Sequence, residues 1–178
     1  MNGQAYTWDT NGNLLNDGLL TYTYDQANRL KSATQGANTY TYAYNGVGDR
    51  LRQTANGVAT NYTLDLNAGL TQVLADGSNT YLYGVGRIAQ YQTTMQYFGV
   101  DALSSVRQLY NSTGQVVANT RYDPFGNVLS QSGSATSVYG FTGEQTDSST
   151  GLDYLRARYY SSTTRWSFCF CFQFDFAI

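Results

Sequence analysis

Tyrosine alternates with threonine, alanine or leucine in three short runs: Thr21-Tyr22-Thr23-Tyr24, Tyr40-Thr41-Tyr42-Ala43-Tyr44 and Thr80-Tyr81-Leu82-Tyr83. A period of two places every tyrosine of a run on one face of an extended strand and the small or polar residues on the other. Between the runs lie Gln35-Gly36, Asn56-Gly57 and Asp76-Gly77, whose glycines are spaced twenty-one and then twenty residues apart. With the turns that follow the tyrosine runs, reversals arrive about every ten residues, the rhythm of a strand-turn-strand meander. The pattern therefore predicts an all-β chain, an antiparallel meander of hairpins. The stretch "SVRQLYNSTGQVVANTRY" reads as a further hairpin around Thr113-Gly114.

The hairpins are copies of one unit. Tyr22 and Tyr24 precede Arg29-Leu30, Tyr42 and Tyr44 precede Arg50-Leu51, and Tyr81 and Tyr83 precede Arg87-Ile88. An incomplete copy lies at "NYTLDLNAGLTQVLADGS". No unit is large enough to bury its own face, so copies must stack. Stacking predicts tyrosine ladders across neighbouring strands, with each cross-strand pair contributing up to about 1 kcal/mol. Tyrosine suits such a face because its ring is buried while its hydroxyl finds a polar partner.

Composition narrows the chemistry. Histidine is absent, which removes the commonest general base and metal ligand at neutral pH. Ten Lys and Arg against twelve Asp and Glu give a net charge of −2, without the basic footprint that nucleic acid requires. No apolar run is long enough to span a membrane as a helix, and "MNGQAYTWDT" lacks the order of a signal peptide. Cys169 and Cys171 are the only cysteines and supply two ligands where a structural zinc takes four. No metal or cofactor is expected, and none of these residues builds an enzyme.

Three blocks carry a family resemblance. Tyr24-Asp25 followed by Asn28-Arg29-Leu30 resembles the tyrosine-aspartate (YD) repeat of bacterial Rhs proteins and teneurin-like shells. "YFGVDALSSVRQLYNSTGQVVANTRYDPFGNVL", from Tyr97 to Leu129, resembles the stretch leading into the Rhs core. "YGFTGEQTDSSTGLDYLRARYY", from Tyr139 to Tyr160, is similar to the start of the Rhs repeat-associated core, and is the most specific of the three. The resemblance implies an open segment of a spiralling β-shell that in the family encloses a C-terminal toxin. Its partners would be neighbouring YD-repeat strands or the enclosed domain, with no nucleic acid and no membrane span. Exposed sheet edges predict self-association. A complete protein of this kind would be secreted or lie at the cell surface.

The resemblance divides the chain into YD-repeat strands over residues 6–96, a core-associated beginning over 97–164 and an aromatic tail over 165–178. The repeat positions it marks are Tyr24, Asp25, Arg29, Tyr44, Arg50, Tyr83, Arg87, Asp123, Gly126, Gly143, Arg156, Arg158, Tyr159 and Tyr160. Family members commonly cut themselves with two D-P-x-G motifs after the R-A-R-Y-Y segment. Here the single D-P-x-G, Asp123-Pro124-Phe125-Gly126, precedes that segment. An aspartyl mechanism needs two carboxylates, so Asp123 is read as a turn with proline at its second position, and no catalytic residue is assigned. Arg156 and Arg158 are expected on one face of a strand, pairing with Glu144, Asp147 or Asp153. The tail, with Phe168, Phe170, Phe172, Phe174 and Phe176 in alternation, departs from the family and suggests a reading-frame shift near Thr164 or Arg165. A different class of function, a surface adhesin stacking sugars on Tyr22, Tyr24, Tyr40, Tyr42 and Tyr44, is the alternative.

Overall fold

The computed structural model describes residues 6–168. The two cysteines and most of the aromatic tail lie outside the described residues. Among the described residues, nineteen strands form three antiparallel sheets, each with its strands in chain order, and none of these closes into a barrel. The first sheet holds β1 (Thr7–Trp8), β2 (Leu14–Asn16), β3 (Thr21–Tyr24), β4 (Leu30–Gln35), β5 (Asn38–Tyr44), β6 (Arg50–Ala55) and β7 (Val58–Asn61). The second holds β8 (Thr63–Asp65), β9 (Gln72–Ala75), β10 (Thr80–Tyr83), β11 (Arg87–Tyr91), β12 (Met95–Val100), β13 (Val106–Tyr110), β14 (Val116–Tyr122) and β15 (Val128–Gly133). The third holds β16 (Gln145–Asp147), β17 (Leu152–Tyr154), β18 (Tyr159–Ser161) and β19 (Trp166–Phe168). One 3-10 turn, Phe141–Gly143, interrupts the strands.

The alternation works as the sequence predicts. Tyr22, Tyr40 and Tyr42 are buried while Thr21, Thr23, Thr39 and Thr41 face solvent. The outer hydroxyls pair across strands, as between Thr23 and Ser32 at 2.6 Å. In the first sheet the tyrosine ladder, however, does not form. In register Tyr22 lies opposite Ala33, and Ala33 opposite Tyr40, which lies opposite Ala55. Large and small residues alternate across the sheet. The alanine opposite each ring leaves it room on the buried face, whereas in the third sheet Tyr154 and Tyr159 do lie opposite each other, ring centres 5.2 Å apart.

The third sheet contributes little area of its own but completes two cores. Leu152, Tyr154 and Tyr159 pack into the cluster formed by Leu14, Leu20, Tyr22, Leu30, Ala33, Tyr40 and Tyr42 of the first sheet. Tyr139, just ahead of β16, joins Tyr81, Val106, Leu109 and Ala118 of the second. The segment from Tyr139 to Ser161 is thus threaded across the tyrosine faces of both sheets. Trp166 continues the third sheet, with its ring 6.0 Å from that of Trp8. At the far end β15 exposes all six of its residues on an edge strand.

Candidate functional site: the seam under the threaded segment

One turn is used six times. Asp9, Asp25, Asn45, Asp101, Asn111 and Asp123 each accept, at Oδ1, the backbone N–H groups two and four residues ahead. Each also donates its own N–H to the carbonyl four residues on. The residue three places along has positive φ in every copy: Gly12, Asn28, Gly48, Ser104, Gly114 and Gly126. A short side-chain acceptor that substitutes for a backbone carbonyl explains why only Asp or Asn opens this turn. Partial burial opposes ionisation of Asp9 and Asp25, but these hydrogen bonds outweigh it and hold both carboxyls below their ordinary value. At Asp123 the bond from Asn127 does the same. The aspartate of the D-P-x-G stretch therefore has the same geometry as that of Tyr24-Asp25. Asp123→Ala is expected to lower the unfolding midpoint and leave the chain a single uncut species by mass spectrometry, whereas Asp123→Asn should retain the wild-type midpoint.

The paired tyrosines have fixed partners. The second of each pair, Tyr24, Tyr44 or Tyr83, donates its hydroxyl to a backbone carbonyl, that of Leu14, Leu30 or Val73 respectively. The first reaches a buried aspartate. Tyr22 donates to Asp17 at 2.7 Å and Tyr81 to Asp76 at 2.5 Å, and both aspartates stand in the turn ahead of their own strand. The turn ahead of Tyr42 is Gln35-Gly36 and has no carboxylate. The acceptor there is Asp147 of the threaded segment, 2.7 Å away and 105 residues later. Burial first, then the carboxylate, pushes these phenols well above their ordinary pKa, so they remain donors.

Arg50 lies at the centre of the seam, 2% exposed. Its guanidinium carbon sits 4.1 Å from the centre of the Tyr154 ring, with Tyr62 at 5.0 Å and Tyr42 and Tyr159 each at 5.9 Å. Nη2 donates to Gln145 Oε1 at 2.8 Å, and Gln145 in turn donates to the Tyr62 hydroxyl at 3.3 Å. The Arg50 backbone N–H donates to the Tyr154 hydroxyl. No carboxylate pairs with Arg50 among the described residues, so the charge is held by ring faces and amide and phenol oxygens. Arg87 makes the matching contact on the second sheet: it lies 3.1 Å above the Tyr139 ring and donates to the Gly143 carbonyl. Gly143, with φ +73°, packs where a Cβ would meet the Ser104 carbonyl at 2.9 Å. Gly126 similarly admits the Phe141 ring, and Tyr160 donates to the Phe125 carbonyl at 2.8 Å.

The marked positions thus sort by place. Arg50, Arg87, Gly126, Gly143, Tyr159 and Tyr160 meet along the seam; Tyr24, Tyr44 and Tyr83 stand beside it. Asp25 and Arg29 are a turn and its ion pair at 2.7 Å. Arg156 and Arg158 do not share a strand face. They sit in the turn between β17 and β18, where Arg156 takes φ +60°, binds Glu144 at 2.9 Å and leaves Arg158 exposed. Asp17, Asp76, Gln145 and Asp147 were not marked. A tyrosine five places after an Asp-Gly, at Asp17 and at Asp76, was the available signal for the first two. Among the described residues no group of three or more His, Cys, Asp or Glu is placed to hold a metal, and no helix is long and apolar enough to cross a membrane.

Open tyrosine-faced sheets of repeated hairpins, with a later segment threaded across them, define the class of YD-repeat β-shells. Residues 1–168 match the Teneurin YD-shell family, and the chain belongs to it. Over 174 residues it is 36% identical to the tRNA nuclease WapA of Bacillus subtilis strain 168, covering 90% of this chain and 7% of the relative. The tRNA3(Ser)-specific nuclease WapA of Bacillus spizizenii is 35% identical over the same shares. The chain therefore spans about 7% of the length of these curated relatives. Among solved structures, the Photorhabdus luminescens Tc holotoxin pore superposes with a TM-score of 0.69 at 17% identity, covering 87% of this chain and 9% of that one. The crystal structure of TcdB2-TccC3 gives 0.67 at 16%, with the same coverage.

Proposed function

We propose that this chain is a non-catalytic piece of a shell wall, together with the strands threaded across its tyrosine face, and that the complete protein encloses a C-terminal toxin domain. The observation that supports this reading is the seam: residues 139–161 fill both tyrosine-lined cores and supply the acceptor for Tyr42. A wall that binds the chain leading to its own C-terminal part holds that part close. The nuclease activity in the names of the Bacillus relatives belongs, on this reading, to some other part of those proteins, of which this stretch matches about 7%. On this reading the complete protein acts outside the cell that makes it.

Burial of Tyr22, Tyr40 and Tyr42 weighs against the sugar-stacking alternative, because the rings that would stack on a ligand are covered by Leu152, Tyr154 and Tyr159. The unpaired edge of β15 is the surface on which a neighbouring strand would add. The isolated chain is expected to sediment as oligomers or larger assemblies and to show no saturable binding on a glycan array. A cooperatively melting monomer would remove the open-edge reading, and saturable sugar binding would replace the wall with the adhesin.

A further inference from the structure

We propose that Asp153 makes the seat of the threaded hairpin proton-operated: this buried carboxylate, set between Thr146 and Tyr160 and ion-paired with no cation among the described residues, seats the hairpin more tightly when it carries a proton. The inference stands apart from what the shell encloses. Asp153 is the middle residue of β17, opposite Thr146 of β16 and Tyr160 of β18, and is 5% exposed. The Thr146 hydroxyl donates to its Oδ1 at 2.5 Å, the one side-chain bond it makes among the described residues. It lines a cavity of about 360 Å³ shared with Tyr122, Phe141 and Thr146, between the second sheet and the hairpin.

Each charged group around it is otherwise engaged. Glu144 adds negative charge nearby, and Arg156 is bound to Glu144. Arg165 lies over the Phe125 ring at 4.0 Å, and Arg158 is in solvent. On the second sheet Arg107 lines the same cavity, but it pairs with Asp101 at 3.2 Å and lies 5.5 Å from the Tyr122 ring. The phenols of Tyr122 and Tyr160 are pushed up by burial and then by Asp153 itself, so they face it uncharged. Asp123 is a further anion near Tyr160. A carboxylate that is buried without a cation favours its neutral form. Burial, against the opposing pull of the Thr146 bond and with the Glu144 charge added, raises Asp153 from 3.8 to about 6.

The sign follows from linkage. The seated hairpin holds the Asp153 proton more tightly than the released one, so the gain is full below 3.8 and is lost as pH rises through about 6. One pKa unit is tenfold in an equilibrium constant, which sets the change at up to about a hundredfold. Asp9, Asp25 and Asp123, held below 3.8, act in the opposite direction and only below that window.

The test is hydrogen exchange of the whole chain, read by mass spectrometry as protection factors for residues 145–161 at pH 5 and pH 7.5. Wild type should be more protected at pH 5, by about tenfold, because pH 5 lies about one unit below the raised pKa. Asp153→Asn should be equally protected at both pH values, at or above the wild-type level at pH 5. Equal wild-type protection at the two values, greater protection at pH 7.5, or a full pH dependence retained in Asp153→Asn would each overturn the proposal. Isotope-edited infrared spectra of wild type give an arm independent of the variant's folding. A protonated aspartic acid band should be present at pH 5 and disappear on titration through about 6, and its absence at pH 5 overturns the proposal equally.

Discussion

Arg50→Ala is expected to destabilise the chain by about 3–5 kcal/mol, among the largest single-residue effects in the molecule. The size comes from volume and unmade contacts rather than from charge. Moving a guanidinium out of water costs several kcal/mol, and here no carboxylate offsets it. What offsets it is a charge-assisted bond to Gln145, worth about 1.5–3 kcal/mol, and four ring faces at about 0.5–2 kcal/mol each. These terms nearly cancel, so the charge contributes little net stability. Alanine removes the stem that fills the space between Tyr62 and Tyr154 and leaves Gln145 Oε1 without its donor. Methionine keeps most of that volume and abolishes the desolvation cost, and should lose less than half as much. Lysine keeps a charge that is more strongly hydrated and lacks the planar fork, so it should be worse than methionine. Guanidinium unfolding of the three variants ranks them, with exchange in residues 145–161 locating the loss. An alanine variant within about 1 kcal/mol of wild type would show that the guanidinium does not hold the seam.

Arg50 also shows where reading the sequence succeeds and where it stops. The period-two tyrosines, the turns and the antiparallel order were all legible, because each depends on neighbours a few residues apart. The resemblance from Tyr139 to Tyr160 located the threaded segment. Aligning the copies by their Arg-aliphatic pair set Arg50 beside Arg29, but register sets it beside Leu30: Tyr24 lies opposite Leu30, and Tyr44 opposite Arg50. The two turns are the same length, Asp25 to Arg29 and Asn45 to Asp49, so counting from the turn would have placed Arg50 on the inner face. Why an arginine can stand where another copy has leucine was not legible. Two of its four ring partners, Tyr154 and Tyr159, lie more than a hundred residues away, and no local pattern reports that contact. The tyrosine ladder failed for a related reason: period fixes which face a ring occupies, while register decides that Ala33 lies between Tyr22 and Tyr40. Arg156 was misplaced because "LDYLRARYY" continues the alternation of a strand, whereas the chain turns at Arg156 with positive φ.

Asp147→Ala is expected to cost about 2–4 kcal/mol and to release the threaded segment from the first sheet ahead of the second. Tyr22 and Tyr81 find their acceptors in their own hairpins, so those bonds survive any movement of the threaded chain. Tyr42 does not, and its bond to Asp147 exists only while the segment is seated. A hydrogen bond to a buried ionised acceptor is worth about 1.5–3 kcal/mol net. Asp147 also accepts the Ser149 N–H at Oδ1, so alanine removes a turn contact as well and leaves a buried phenol unpaired. Asparagine retains one carbonyl oxygen and should recover about half of the loss. The decisive measurement is a double-mutant cycle with Tyr42→Phe, in which a coupling energy of about 1.5–3 kcal/mol isolates the pair from the turn. The corresponding cycle between Tyr22→Phe and Asp17→Asn should give similar coupling but leave exchange in residues 145–161 unchanged, because that pair lies wholly within one hairpin. Equal effects of the two cycles on the threaded segment would mean that Asp147 stabilises the sheet generally and does not seat the chain. A selective effect of the Asp147 cycle means that the wall lacks one acceptor by itself and is completed by the segment that crosses it.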